Sequence, residues 1–248
     1  MKGILYFSST GNSLYLAKRI RERIPAHILY LPRYAGDGGE FDEVILVSPV
    51  YSFGLPVHSY KFLQRLCPNV PLTVVLSYGG ATGGAERLVA ELARRGNKNL
   101  RGVYAIQMPE NYTLTFTTPK IYEKLVLRLA EKKIDRVIDA ILRAELHLPA
   151  EGRTREALYE KNKSNWHLIG RDFSATEDCM QCGKCIAICP AGNIALEDGK
   201  VCFGDRCVAC LGCYHRCPQK AIVYKHRCKK DRYINPKIRE AEIGENFL

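Results

Sequence analysis

Through the first 146 residues, short apolar runs alternate with stretches of helical periodicity. Gly3 to Phe7, Ala26 to Leu31, Val44 to Val47, Leu72 to Leu76 and Gly102 to Gln107 are β-branched or aromatic and bounded by Gly, Pro or polar clusters, which predicts five strands. Between them Ser13 to Arg23, His58 to Leu66 and Gly84 to Arg95 predict helices, followed by a long one at Pro119 to Leu146. Near-continuous apolar strands separated by helices imply a parallel sheet covered on both faces, a five-stranded doubly wound α/β domain over 1–146. In such a sheet ligands sit outside the carboxyl ends of the strands, so the loops after strands one, three and four are the candidate site. Residues 147–173 are charged, with little apolar periodicity, and are expected to connect this domain to a second unit over 174–228, followed by a C-terminal extension, 229–248.

Cysteine changes the picture from Asp178 onward. Ten of the eleven cysteines follow that residue, a density that points to metal in a chain with no secretory leader pattern. Cys179, Cys182, Cys185 and Cys189-Pro190 form C-x-x-C-x-x-C-x-x-x-C-P, and Cys207, Cys210, Cys213 and Cys217-Pro218 repeat it 28 residues later. Three thiolates within seven residues can wrap one face of a cubane cluster and leave the fourth position to a ligand from elsewhere. Structural zinc usually takes two separated pairs, so a run of four suits it poorly. Cys67, Cys202 and Cys228 fall outside both runs and are expected to be packing or incidental thiols.

The first loop carries a different signal. Ser8, Ser9, Thr10, Asn12 and Ser13 surround Gly11 immediately before an amphipathic helix. Six polar or glycine residues in succession exceed what an N-cap requires, and exposed N–H groups at a helix start favour an anion such as a phosphate monoester. The nucleoside-triphosphate loop is excluded by the missing Lys, and no G-x-G-x-x-G occurs there.

Two family resemblances rest on these residues. The doubled cysteine motif resembles the bacterial two-cluster ferredoxins over roughly 174–226. That resemblance implies an α+β unit with one [4Fe-4S] cluster held by Cys179, Cys182, Cys185 and Cys217, and the other by Cys207, Cys210, Cys213 and Cys189. The Ser8–Ser13 loop, with Ala17 and Ile20 in the helix that follows, resembles the flavodoxin signature and implies an FMN phosphate there. On the same resemblance Pro49, Val50, Tyr51, Ser52, Phe53 and Gly54 after strand three, and Ser77, Tyr78, Gly79 and Gly80 after strand four, would flank the flavin ring. The two in this order resemble flavodoxin–ferredoxin fusion proteins of anaerobes.

The expected function is electron transfer between two [4Fe-4S] clusters and FMN, serving redox partner proteins. The alternative is a flavin-dependent reductase of a small substrate fed by the clusters. No catalytic triad or metal pair is apparent, and His58 is expected to be a surface or packing residue. The formal charge of +11 is spread along the chain, with twenty basic and thirteen acidic residues in 1–150, and is expected to offset anionic cofactors rather than to bind nucleic acid. With no long apolar stretch, a cytoplasmic protein free of membrane is expected. The ring loops, 48–58 and 77–85, contain no Asp or Glu, so anionic reduced flavin would meet little like-charge repulsion there.

Overall fold

A computed structural model describes residues 1–114, 118–226 and 231–248. Five strands, β1 (Lys2–Tyr6), β2 (Ala26–Tyr30), β3 (Glu43–Pro49), β4 (Leu72–Tyr78) and β5 (Leu100–Gln107), form one parallel sheet in the order β2-β1-β3-β4-β5. This is the flavodoxin-like order, with its switch point between β1 and β3. Ile4 to Tyr6 and Val44 to Val47 are wholly buried, which is why these strands show continuous apolar runs and no alternation.

The covering helices are α1 (Asn12–Arg21), α2 (Val57–Arg65), α3 (Ala85–Arg95) and α4 (Lys120–Leu142). The fourth lays Ala130, Ile134, Val137, Ile138 and Ile141 against the sheet. It ends before the predicted Leu146 because Ala144 turns left-handed at φ 51, and the chain then runs beside β5 with His147 bridged to Gly102.

The segment expected to be a plain connection contains a helix, α5 (Glu156–Ile169), whose apolar anchors are the buried Tyr159 and Trp166. Two aromatics one heptad apart are too sparse to register as amphipathic periodicity, yet they suffice when both meet a pocket. Tyr159 donates a hydrogen bond from its hydroxyl to the Leu55 carbonyl at 2.8 Å.

The cysteine-rich unit is small. β6 (Phe173–Ala175) pairs antiparallel with β9 (Ile222–Tyr224), and β7 (Ile194–Glu197) with β8 (Lys200–Phe203), with short helices α6 (Lys184–Ala187) and α7 (Gly212–Arg216) between them. Leu114, Phe173, Leu211, Tyr214 and Ile222 form its core.

The C-terminal residues return to the sheet. Phe247 pairs antiparallel with Ile28 on the free edge of β2, and Tyr6, fully buried, donates to the Glu245 carbonyl and accepts from the Gly244 N–H, both at 2.9 Å. An exposed edge is thereby covered by the chain's own end. Among the described residues no helix is long and apolar enough to cross a membrane.

Candidate functional site

The carboxyl ends of β1, β3 and β4 open onto a cleft of about 410 Å³, within the range of small-molecule sites. Pro49 to Phe53 form one wall and Ser77 to Ala81 another. Pro109 to Tyr112, after β5, form a third. The roof comes from elsewhere in the chain: Trp166 and Ile169 of α5, and Ala209, Cys210 and Leu211 of the second cysteine run. Trp166 meets Tyr51 edge-on with ring centroids 6.0 Å apart, and Tyr51 in turn meets Phe7 at 6.2 Å.

The first wall is strained. Tyr51 and Gly54 exchange backbone hydrogen bonds of 2.9 and 3.0 Å around a two-residue turn, which places Ser52 and Phe53 at φ 48 and 73. Such turns ordinarily use Asn and Gly, and non-glycine residues held left-handed concentrate at ligand clamps. Gly54 itself faces away from the cleft; a Cβ there would lie 2.4 Å from the Tyr159 ring.

Of the six residues of the first loop only Asn12 lines the cleft. Ser8, Ser9, Thr10, Gly11 and Ser13 lie outside its lining, buried or closely packed beneath the C-terminal segment. Gly11, at φ 96, is so close to that segment that a Cβ would come within 3.2 Å of Asn235 and 3.3 Å of Ile238. The Thr10 carbonyl accepts from the Asn235 N–H at 2.8 Å. Asn12 is a junction: its amide donates to the Pro109 carbonyl at 3.0 Å, and its oxygen accepts from Tyr233 Oη at 2.7 Å and Asn235 Nδ2 at 3.0 Å.

Donors for an anion remain in this loop. Ser8 Oγ accepts from the Gly11 N–H and Thr10 Oγ1 accepts from Asn111 Nδ2, so each hydroxyl keeps its own proton to give. The first N–H groups of α1 have no partner within the helix. The chemistry of this donor set fits a phosphate, and the cleft beyond Asn12 fits an aromatic ring system.

Glu110 brings a carboxylate to the cleft wall, correcting the expectation of a carboxylate-free ring site that was drawn from the loops after β3 and β4 alone. Its Oε1 accepts from the Asn111 and Tyr112 N–H groups at 2.9 and 2.8 Å. Gly79 leaves room for it, since a Cβ there would come within 2.2 Å of Glu110 Oε2.

The cysteines gather round two further cavities. Cys179, Cys182, Cys185 and Cys217 line one, Cys189, Cys207, Cys210 and Cys213 the other, so each cavity takes three thiols from one run and the fourth from the other. Among the described residues no three His, Cys, Asp or Glu side chains converge on a point where a single metal ion would sit, and the described cysteines form no disulfide. Thiols spread round a cavity suit a polynuclear cluster, whose iron atoms are displaced from one another, better than one tetrahedral ion. Burial pushes the Cys210 thiol up to about 12, and that of Cys213 also well above the ordinary range, so both stay protonated unless a cation displaces the proton. Cys67 packs against the sheet core; Cys202 lies on β8 between Val201 and Phe203, which line the first and the second cavity, but lines neither itself; Cys228 is outside the described residues.

Two histidines fasten the halves together. His58 stacks on Phe7 at 5.3 Å and donates from Nε2 to the Pro190 carbonyl at 3.2 Å, making it a packing residue at the junction. His215 donates from Nε2 to the Asn111 carbonyl at 2.8 Å and accepts from the Tyr233 N–H at Nδ1 at 3.1 Å. Lone histidines far apart in sequence gave no sign of this role, nor did Trp166, Asn111, Tyr233 or Asn235.

No family model matches the chain, and no curated protein matches it. Among solved structures it is similar to the flavodoxin of Megasphaera elsdenii in its two-electron reduced form, at 20% identity and a TM-score of 0.39 over 42% of this chain and 85% of that one. It is also similar to a Fusobacterium nucleatum flavodoxin bound to flavin mononucleotide, at 16% identity and a TM-score of 0.42 over 57% of this chain and 96% of that one. A third likeness is to the rubredoxin oxygen:oxidoreductase of Desulfovibrio gigas, at 17% identity and a TM-score of 0.37, where 57% of this chain covers 36% of that one. The flavodoxin-like fold of the first domain stands on the strand order itself.

Proposed function

We propose that this chain is an electron-transfer protein that carries FMN in the cleft and one [4Fe-4S] cluster in each cysteine-lined cavity. The observation that carries the reading is Cys210, which lines both the cleft and the second cysteine cavity, so the two sites share a wall. When bound, the flavin supplies a two-electron centre and the clusters one-electron centres, which together link carriers of the two kinds.

The chain's own residues then divide the work. Ser8, Thr10 and the start of α1 would hold the phosphate, Asn12 would keep that loop joined to the cleft, and Pro49 to Phe53 with Ser77 to Gly80 would flank the ring. Trp166 and Leu211 would exclude water from its roof side. The cysteines would be shared crosswise, Cys217 serving the first run's cluster and Cys189 the second's, with redox proteins as partners. Bound cofactors of about six negative charges would offset about half of the +11.

The cleft reaches the surface at the exposed Gly80 and Ala81, which favours a second reading, reduction of a small substrate at that edge.

The test is anaerobic purification followed by a visible spectrum and assays of iron, acid-labile sulfide and extracted flavin. FMN with two cubanes' worth of iron and sulfide supports the reading, and a colourless protein or FAD alone rejects it. Cys189→Ala should then damage the cluster of the second run and Cys217→Ala that of the first. Loss confined to each cysteine's own run rejects the crossed assignment.

A further inference from the structure

The two cysteine cavities differ in where they lie. The second shares Cys210 and Leu211 with the cleft, and Gly212, directly after them, places a would-be Cβ within 3.6 Å of Ser9 in the first loop. This cavity, lined wholly by residues of the cysteine-rich unit, therefore lies against the other half of the molecule. The first shares no lining residue with the cleft. It faces outward: Cys182 is exposed, Met180 beside it is 60% exposed, and Gln181, Pro218 and Gln219 complete an exposed rim. Leu196, 46% exposed and paired across the hairpin with the cavity residue Val201, adds a second apolar side chain. Between the cavities lies an apolar partition, with Cys185, Cys213 and Cys217 packed against Phe173, Leu211, Tyr214 and Ile222.

Resting on the two-cluster and FMN reading above, we propose that the Cys179–Cys185 loop is the molecule's electron port, where a one-electron carrier protein docks on Met180 and Leu196. Electrons then pass from the first cavity to the second and only from there to the cleft. The carrier is oxidised by one electron per encounter. Two encounters deliver the pair that the flavin takes up with a proton from solvent, so electrons and protons balance. Apolar side chains at the centre of a small exposed rim are what a transient electron-transfer contact uses. The order follows from placement: the four thiols of the second cavity are half-buried and one of them, Cys210, lines the cleft, whereas Cys182 of the first cavity stands exposed at the surface.

The experiment uses the full chain, anaerobically loaded, with photoreduced two-cluster ferredoxin as donor and dithionite as a small reductant. Cluster signals are followed by electron paramagnetic resonance and the flavin by stopped-flow absorbance. Cys210→Ala should leave the first cluster reducible by ferredoxin at the parental rate while electrons fail to reach the flavin. Cys182→Ala should abolish ferredoxin-driven reduction of both the second cluster and the flavin. Met180→Asp, on the rim, should slow reduction by ferredoxin about tenfold and leave dithionite reduction unchanged. A loaded Cys182→Ala protein that still passes electrons from ferredoxin to flavin at the parental rate overturns the port alone. Should that variant fail to fold, an unchanged ferredoxin rate for Met180→Asp overturns it instead. A parental protein without iron and sulfide overturns the cluster reading beneath it.

Discussion

Asn12→Ala is the substitution that most directly tests how the halves are joined. The side chain of Asn12 holds three buried partners: the Pro109 carbonyl at 3.0 Å, Tyr233 Oη at 2.7 Å and Asn235 Nδ2 at 3.0 Å. Tyr233 is 2% exposed and Asn235 0%, so water does not replace what is lost. Each orphaned buried group costs at least about 1 kcal/mol, so truncation should cost about 3 kcal/mol and lower the thermal midpoint by roughly 6–12 °C for a chain of this size. Tyr233→Phe removes one bond and leaves Asn12 the other acceptor contact, from Asn235. It should cost about 1 kcal/mol, or roughly 2–4 °C. The double variant is the sharper measurement. Once Asn12 is truncated the Tyr233 hydroxyl has no partner here, so removing it as well should cost nothing more. Differential scanning calorimetry with limited proteolysis of the C-terminal segment follows both effects. Additive losses in the double variant, or an Asn12→Ala protein whose C-terminal segment is no easier to cleave, would refute the junction.

Other expectations follow from the same contacts. Burial pushes the His215 imidazole down to about 4, and its neutral form satisfies both Asn111 and Tyr233. The unfolded chain binds that proton near 6.5, so stability should fall by up to about 3 kcal/mol as pH drops from 6.5 to 4, and urea titrations of His215→Gln should lose this slope. Gly11→Asp should release flavin, because it sets a side chain and a charge at φ 96 beside the donors for the phosphate and against Asn235; fluorescence titration with FMN measures the loss, and unchanged affinity would count against a phosphate in this loop. Glu110→Gln should raise the flavin potential by roughly 20 mV or more, from about 1 kcal/mol of relieved repulsion on a two-electron couple, and spectroelectrochemistry showing no shift would remove Glu110 from the ring's surroundings.

Much of this protein was legible one residue at a time. The apolar runs of β1 and β3 are continuous because both faces of those strands are buried, and each cysteine run brings three of its thiols to one cavity because they stand on neighbouring turns of chain. Local patterns of this kind are written in sequence because they are satisfied locally. What only the tertiary structure decided are the groups whose partners lie far along the chain. Helix α5 rests on Tyr159 and Trp166, which need Leu55 and Tyr51 to bury them, and Glu110 enters the cleft from a strand end that loop composition did not include. The C-terminal segment reads as an extension because its polar residues, Tyr233, Asn235 and Asn246, have no periodicity; Tyr233 and Asn235 are buried by bonds that include those to Asn12, and the exposed Asn246 accepts from the Tyr30 N–H. The nearness of the second cysteine cavity to the cleft has the same origin: it depends on which of two similar motifs packs against Ser9, and two copies of one pattern carry no local mark of which it will be.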